Sequence, residues 1–303
     1  MRSLTYKDIT WYDDSNPSEK DLLELQKKYG FHELDIEDCL SLHERPKVEE
    51  YDDYIFLVFH IPYLQQRTGR IFKEEVNIFL GQHFIATLHK GNLPIIDRLW
   101  EEVNKSEEMK GEYLQYGTGF LLYELMSKFF DDVFPLVDTI TRQLREIEDR
   151  LFESEEHVNL LREIMALKRN IITMRSILLP QRTLVATLEH KNKKFVSEEL
   201  ALYFDDILDA IERQWSLLDT DKELCEALQD THGSWLSHKT NAVVKLLTIF
   251  SVTMLPLTVI TGFYGMNVGL PFQAAEQTAL GIIIVMLGVI IVMMAYFAKK
   301  HWL

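Results

Sequence analysis

Two long apolar runs near the C-terminus constrain the fold of this sequence more than any other feature. Residues 243–263 contain one charged side chain, Lys245, and residues 280–298 contain none. Each run has about the 20 residues with which a helix crosses the hydrocarbon core of a bilayer. The second run is apolar on every face, whereas a surface helix of a soluble protein keeps a polar face. We therefore predict two transmembrane helices.

Charges that flank the two runs predict their orientation. Basic side chains lie before or just inside the first run, at His238, Lys239 and Lys245, and directly after the second, at Lys299 and Lys300. The segment between the runs contains no Lys or Arg. Because cytoplasmic flanks carry the excess of basic residues, we expect both termini in the cytoplasm and the short connection outside. The N-terminal residues, MRSLTYKDITWYDD, lack the pattern of a signal peptide.

The part of the chain before the spans is acidic. The 303 residues carry a net charge of −15. Binding to nucleic acid requires clustered Lys and Arg, so we predict no nucleic-acid partner and an attraction for cations. The two cysteines, Cys39 and Cys225, give neither a disulfide framework nor a CxxC metal pattern. No phosphate-binding loop or catalytic constellation is evident, which predicts that the protein is not an enzyme and takes no organic cofactor.

The first 105 or so residues combine strand and helix patterns. Segments rich in β-branched and aromatic residues predict strands over 54–63 and 76–89, and the chain also begins as a strand. Between them, helices are predicted over 18–30 and 33–40, and Pro46 ends the helical region. The N-terminal part is therefore predicted to be an α/β domain.

The middle of the chain is predicted to be helical. Apolar residues recur there at three-and-four spacing, which predicts helices over 121–152 and 158–190. The stretch from Val196 into the first span is predicted to form one helix of about 65 residues, about 100 Å long. The predicted domains are a cytosolic α/β domain over 1–110, a cytosolic helical stalk domain over 111–240 and a transmembrane pore domain over 241–303 with spans at about 243–263 and 280–298.

Polar and small residues alternate with Val and Leu along one face of the first span. In a bilayer such a stripe turns toward protein or water. Two uses fit it equally well, namely packing between helices and the lining of a pore. Two spans cannot enclose a pore, so the second use requires a homo-oligomer. The stripe consists of Asn241, Val244, Thr248, Ser251, Leu255, Thr258, Gly262 and Gly265.

The segment after the first span, 261-TGFYGMNVGLPFQ-273, carries a resemblance to a known family. Gly265-Met266-Asn267 follows a tyrosine at the end of the penultimate apolar run, and a basic tail, 299-KKHWL-303, follows the last run. This arrangement resembles the CorA family of divalent-cation transporters. The resemblance covers essentially the whole chain, through 43-HERPKVEEYDDYIF-56, 167-LKRNIITMRSILLP-180 and 238-HKTNAVVKLLTIFSVTMLPLTVITGFYGMN-267.

The resemblance implies an α+β membrane protein with an N-terminal α/β cytosolic domain, a long helical stalk and two C-terminal transmembrane helices. It implies a funnel-shaped homopentamer in the cell (inner) membrane, with five first spans around the pore and five second spans outside them. The lipid bilayer and hydrated divalent cations are the other implied partners.

The resemblance also implies roles for individual residues. Gly265, Met266 and Asn267 form a selectivity filter at the outer mouth, where the Gly265 carbonyl and the Asn267 amide receive a hydrated ion. A helix cap with a left-handed backbone is a structural role that Gly265 and Asn267 could also fill. Val244, Leu247 and Leu255 form a hydrophobic constriction. The implied pore-lining residues are Asn241, Val244, Leu247, Thr248, Ser251, Leu255, Thr258 and Gly262.

Four acidic residues are implied to regulate the pore. Asp38 and Asp206 match the family's metal-binding carboxylates at subunit boundaries, and Glu37 and Asp205 are neighbours that could assist. Mg2+ bound there would cancel repulsion between subunits and hold the closed state. The alternative is that these acids are ordinary solvated helix residues.

The predicted function is Mg2+ influx, driven by the membrane potential and gated by cytosolic Mg2+, with Co2+ and Ni2+ as further cargo. Mg2+ is both the transported and the regulatory ion. A zinc transporter of the same fold is one alternative. A membrane-anchored scaffold or sensor that conducts nothing is another, and a flux assay separates it from the first two.

Overall fold

In the computed structural model, which describes residues 1–41, 44–91, 93–153, 159–190, 195–196, 198–269 and 278–302, six strands form one mixed sheet. The strands are β1 (Arg2–Tyr6), β2 (Ile9–Asp14), β3 (Lys47–Glu50), β4 (Tyr54–Gln65), β5 (Arg70–Gly81) and β6 (Phe84–His89). Their order across the sheet is β1-β2-β6-β5-β4-β3. Neighbouring strands run antiparallel, with the exception of β2 and β6, which run parallel.

Helices precede and follow the strands along the chain. They are α1 (Glu19–Tyr29), α2 (Glu33–Leu40), α3 (Pro94–Val103), α4 (Glu107–Leu114), α5 (Thr118–Asp131), α6 (Val133–Glu153), α7 (Leu160–His190), α8 (Ala201–Tyr264) and α9 (Thr278–Lys299). The chain divides into two compact units, Met1–Gln229 and Asp230–Leu303.

The first unit buries both faces of its sheet. Alternate side chains of β4 lie in two separate hydrophobic clusters, because successive residues of a strand point to opposite faces. Ile55, Leu57 and Phe59 pack in the cluster that contains residues of α3 and α5–α7. Phe56 and Val58 pack in the cluster that contains residues of α1 and α2. A strand covered on both faces is apolar on both, as residues 54–59 of β4 are.

Helix α2 is capped at both ends, and its N-terminal end is tied to the sheet beside this second cluster. The His32 Nδ1 atom accepts a hydrogen bond from the Leu34 N–H at 3.2 Å and so caps the helix. The Tyr54 hydroxyl accepts from the His32 N–H at 2.8 Å and ties the cap to β4. At the other end, the Ser41 N–H donates to the Glu37 carbonyl at 2.9 Å. These contacts fix where α2 places its acidic side chains.

The second unit contains the end of α8 and the whole of α9. Both helices are long and apolar enough to cross a membrane, so the structure has two candidate spans where two are predicted. The long helix predicted to run into the first span is confirmed, since α8 continues without interruption for 64 residues. Residues 270–277, which include the end of the 261–273 segment, lie outside the described residues.

Several predicted boundaries in the first unit are wrong. The segment 76–89 is not one strand, because Gln82 and His83 form a turn between β5 and β6. The residues on both sides of that turn are mostly apolar and do not alternate with polar residues. The sequence pattern therefore does not show where β5 ends and β6 begins. The segment 121–152 is divided between α5 and α6 near Asp132. The helix predicted over 33–40 is confirmed as α2.

We expect a side chain at Gly81 to destabilise the first unit. A Cβ atom there would lie 2.3 Å from the Cε1 atom of Phe84. The Phe84 ring cannot easily move, because it stacks on Tyr29 with the ring centroids 3.8 Å apart. Overpacking of this kind costs about 1–3 kcal/mol, so Gly81→Ala should lower the midpoint of thermal unfolding, measured on the full chain in detergent.

Gly233→Ala is the matched control for that experiment. Gly233 lies inside α8, and nothing lies within 4 Å of a Cβ atom added there. Ala favours a helix over Gly by about 1 kcal/mol, so this variant should unfold at or slightly above the wild-type midpoint. A Gly81→Ala midpoint equal to that of the wild type would show that the turn is looser than described.

Candidate functional site

Within the second unit, one side of α8 is buried and is directed toward α9. Ile249 and Leu257 are 8% and 7% exposed. One turn before Ile249, the Lys245 ammonium donates a hydrogen bond to the His301 carbonyl, just beyond the end of α9, at 2.8 Å. On α9 itself, Phe297 is buried and stacks with Trp302. The charged residue of the first span is therefore turned toward the second span.

The predicted stripe lies on the opposite side of α8. Thr258 follows Ile249 by nine positions, which is two and a half turns at about 3.6 residues per turn. Val244, Leu247 and Leu255 are 54%, 60% and 66% exposed. The remaining stripe residues are exposed, apart from a half-buried Thr248; they are Asn241, Ser251, Thr258 and Gly262. All the predicted pore-lining residues thus share a face that a single chain leaves uncovered.

The hydroxyl groups of Thr248 and Thr258 on this face donate hydrogen bonds to backbone carbonyls of their own helix. Thr248 Oγ1 donates to the Val244 carbonyl at 2.7 Å. Thr258 Oγ1 donates to the Met254 carbonyl at 3.0 Å. A hydroxyl has one proton and two acceptor lone pairs, so each of these groups presents acceptors outward. The stripe therefore suits ligands that donate hydrogen bonds.

The predicted filter residues follow the last turn of α8. The Gly265 N–H donates to the Thr261 carbonyl at 2.9 Å, and the Met266 N–H donates to the Phe263 carbonyl at 3.3 Å. A Cβ atom at Gly265 would lie 3.0 Å from the Thr261 carbonyl oxygen, so a side chain would crowd this turn. Gly265, Met266 and Asn267 are all exposed.

The helix cap considered for Gly265 and Asn267 does not form as predicted. Left-handed backbone among the described residues occurs at Lys7, Gly30, Gly69, Gly91, Gly117 and His301, and neither Gly265 nor Asn267 adopts it. The turn instead tightens through the hydrogen bond that the Met266 N–H makes three residues back. Neither Gly265 nor Asn267 therefore ends α8 with a left-handed backbone.

The four acidic residues predicted to regulate the pore lie on two helices of the first unit. Glu37 and Asp38 are on α2, while Asp205 and Asp206 are on α8. Within the described parts of the chain, no group of three or more His, Cys, Asp or Glu side chains could hold a metal ion.

Asp38 has a partner that the sequence did not suggest. The Lys47 ammonium, on β3, lies 2.6 Å from Asp38 Oδ2 and 2.9 Å from Glu49 Oε1. Burial lowers the pKa of Lys47, but its hydrogen bonds to the two carboxylates outweigh burial and raise that pKa above its usual range. Lys47 and Glu49 are two residues apart, and residues two apart in a strand point to the same face. This spacing is the sequence pattern from which their shared position could have been predicted.

Asp35, one turn before Asp38, is a second residue that the sequence prediction missed. Its carboxylate is fully buried and accepts hydrogen bonds from the Tyr54 hydroxyl at 2.6 Å and the Tyr51 hydroxyl at 3.0 Å. Burial raises the pKa of Asp35, and the nearby Glu49 carboxylate adds to the effect, against the two hydroxyls. Asp35 therefore anchors α2 to the sheet, whereas the Asp38 carboxylate is partly exposed to solvent.

Known proteins match this chain over nearly all its length. The family model described as CorA-like Mg2+ transporter protein matches residues 6–300. A putative metal ion transporter of Bacillus subtilis, YfjQ, is 32% identical over 304 residues, which cover 97% of this chain and 91% of that protein. The cobalt/magnesium transport protein CorA of Thermotoga maritima is 29% identical over 276 residues, covering 91% and 78%.

A solved structure shares the fold. The complete structure of the CorA magnesium transporter from Methanocaldococcus jannaschii superimposes with a TM-score of 0.86 at 21% sequence identity, over 100% of this chain and 95% of that one. The full-length CmaX protein superimposes with a TM-score of 0.77 at 19% identity, over 94% and 88%. The arrangement of an N-terminal α/β domain, a long helix and two C-terminal helices is common to this fold.

Proposed function

Because the chain belongs to the family of CorA-like Mg2+ transporters, whose members are transporters and channels rather than enzymes, we propose that it conducts Mg2+ into the cell through a pore lined by α8. The observation that carries this proposal is the uncovered stripe on the side of α8 away from α9. Two helices cannot surround a pore, so several copies must contribute that face. We propose a homopentamer, as the family resemblance implies.

The stripe suits an ion that keeps its water shell. Mg2+ dehydrates reluctantly, and the waters around it direct their protons outward. The Thr258 hydroxyl presents acceptors because its own proton is bound to the Met254 carbonyl. At the outer end, the Gly265 carbonyl and the Asn267 amide offer neutral oxygens, with Met266 between them. Neutral acceptors bind a hydrated ion weakly enough to release it, as conduction requires.

The apolar residues among the proposed pore-lining residues support a role as a gate. Val244, Leu247 and Leu255 offer no hydrogen-bonding groups and are well exposed in one chain. A ring of such side chains closes a pore by excluding water. Asn241, Thr248, Ser251 and Gly262 would complete the lining around this constriction.

The membrane potential is sufficient to drive entry. We propose a protein of the cell (inner) membrane with both termini in the cytoplasm, on the basis of the lysines that flank the two spans. A charge that crosses 100 mV gains about 2.3 kcal/mol, so a divalent cation gains about 4.6 kcal/mol. The name of the Thermotoga maritima relative supports Co2+ as further cargo, and Ni2+ has similar coordination chemistry.

We further propose that Mg2+ regulates this flux through carboxylates on neighbouring copies. Asp38 on α2 and Asp206 on α8, assisted by Glu37 and Asp205, would share the ion across a boundary between chains. The two pairs of carboxylates lie on different helices of one chain. Loss of the ion would restore repulsion between the carboxylates and loosen the boundary. We also propose that the chain divides into domains at 1–110, 111–240 and 241–303.

Flux into proteoliposomes tests the proposed function. The purified full-length chain is reconstituted with an indicator for Mg2+ inside, and a potassium diffusion potential is imposed. We expect Mg2+ entry that increases with an inside-negative potential and that Co2+ and Ni2+ compete for. Empty liposomes and an inside-positive potential are the controls.

Two other results would replace the proposal. Entry of Zn2+ but not Mg2+, dependent on a proton gradient, would establish a zinc transporter of the same fold. If no divalent cation enters under either driving force, at low internal Mg2+, the chain is a membrane-anchored scaffold or sensor.

A further inference from the structure

The Lys47 side chain lies between the carboxylate of Asp38, on α2, and that of Glu49, on β3. Its ammonium is 2.6 Å from Asp38 Oδ2 and 2.9 Å from Glu49 Oε1. The side chains of Lys47 and Asp38 are 29% and 18% exposed, so both are largely withdrawn from water. The ammonium also lies 5.5 Å from the centroid of the Phe56 ring. One oxygen of the Asp38 carboxylate is therefore already occupied by a cation that belongs to the chain itself.

The surroundings hold this arrangement in place. Strand β3 pairs with β4, and Lys47 lies opposite Val58 in that register. The Tyr51 hydroxyl lies 3.1 Å from Glu49 Oε2 and 3.0 Å from Asp35 Oδ1, and so links the two carboxylates. Because Asp35 is buried in α2, this link fixes β3 against the helix that carries Asp38. Lys47 thus approaches Asp38 from a rigid strand rather than a free loop.

From this geometry we infer that Lys47 is a specificity-determining residue of the regulatory site. Its ammonium occupies Asp38 in the ion-free chain, and only a cation of higher charge displaces it. The inference rests on the regulatory role proposed above for Asp38.

The charges explain why a monovalent ion cannot take the place of Lys47. A tethered ammonium acts at an effective concentration in the millimolar range or higher, and it competes with K+ for the same carboxylate. K+ would exchange one unit of charge for another and gain no electrostatic energy. Mg2+ brings two units and interacts about twice as strongly with the carboxylate at equal distance.

Glu49 remains an ion-pair partner for the Lys47 ammonium after its displacement from Asp38. Lys47 contacts both carboxylates at once, so it keeps its ion pair with Glu49 when Mg2+ takes Asp38. The exchange therefore leaves no partly buried ammonium without a partner, which would be costly. The remaining repulsion between Mg2+ and Lys47 weakens binding of the ion and sets the concentration at which the site fills.

Thermal unfolding against MgCl2 concentration, on the full-length chain in detergent, tests this inference. A ligand that binds only the folded chain stabilises it by RT ln(1 + [L]/Kd), so the unfolding midpoint begins to rise when the ligand concentration approaches Kd. We expect the midpoint of Lys47→Met to begin rising, and to reach any given increase, at about tenfold lower Mg2+ than that of the wild type. Addition of KCl to about 0.15 M should weaken Mg2+ binding more in Lys47→Met than in the wild type. Lys47→Arg, which keeps the cation, should stay close to the wild type.

Lys110→Met is the matched control, since Lys110 also forms an ion pair, at 2.7 Å from Glu107, and its removal changes the net charge equally. Asp38→Asn separates the two proposals. Weaker Mg2+ binding in Asp38→Asn together with an unchanged Lys47→Met would overturn the role of Lys47 and leave the regulatory site in place. Unchanged Mg2+ binding in both variants would overturn the regulatory site and, with it, this inference.

Discussion

Replacing Asn267 with Ala should reduce potential-driven Mg2+ flux at least about 100-fold. In the proposed pentamer the substitution removes five amides from one ring at the outer mouth. Each lost hydrogen bond to the water shell is worth about 1 kcal/mol, and about 1.4 kcal/mol corresponds to a factor of ten. The loss of only three of the five hydrogen bonds would therefore cost about 3 kcal/mol, which corresponds to a reduction in flux of more than about 100-fold. The measurement is initial Mg2+ entry into proteoliposomes at a fixed inside-negative potential.

Asn104→Ala provides the control for the removal of an amide. Asn104 is exposed at the end of α3, in the first unit, and should leave the flux unchanged. Asn267→Gln keeps an amide at a longer reach and should retain part of the flux. If Asn267→Ala conducts as well as the wild type, selection occurs elsewhere along the stripe, and the ring at Thr258 becomes the next candidate.

The combined substitution of Asp38→Asn and Asp206→Asn should abolish inhibition by internal Mg2+. In the wild type we expect flux to fall as Mg2+ inside the liposomes increases, because the ion holds neighbouring copies together. Asn keeps the size of the side chain but removes the charge that binds the ion. We expect the inhibitory Mg2+ concentration to rise by more than about tenfold, within the usual range of coupling between sites.

A second pair of substitutions controls for the loss of two negative charges. Asp53→Asn and Asp230→Asn alter exposed positions outside the proposed site and should leave inhibition intact. Inhibition that persists unchanged in the Asp38 and Asp206 variant would place the sensor elsewhere in the chain. The flux measured at low internal Mg2+ should be similar in all these proteins, which separates regulation from conduction.

Features with a strong local pattern could be predicted from the sequence. The two spans follow from length and apolar composition, and the long helix follows from the near absence of Gly and Pro before the membrane. Helix α2 was predicted with its correct bounds because an acidic, periodic segment ends shortly before a proline. The grouping of the stripe residues on one side of α8 could be predicted because helical spacing alone determines which residues share a side.

Features that depend on distant contacts could not be predicted. The turn at Gln82 lies within an apolar stretch that is buried on both sides, so local alternation gives no sign of it. The pairing of Lys47 with Asp38 depends on how β3 approaches α2, which is a matter of tertiary packing. The burial of Asp35 depends on two tyrosine hydroxyls, one of them 19 residues away in the chain. The backbone at Gly265 follows the hydrogen bonds of the last turn rather than residue preference.

The hydrogen bond from Lys245 to the His301 carbonyl affects how the two spans enter a bilayer. Lys245 lies inside the first apolar run, where an ammonium loses hydration and insertion into lipid becomes less favourable. Its acceptor lies 56 residues later, beyond the second span. During synthesis the first span therefore carries a lysine without its protein partner until the second span has followed. We therefore expect the two helices to insert more favourably together, as one hairpin, than the first span does alone.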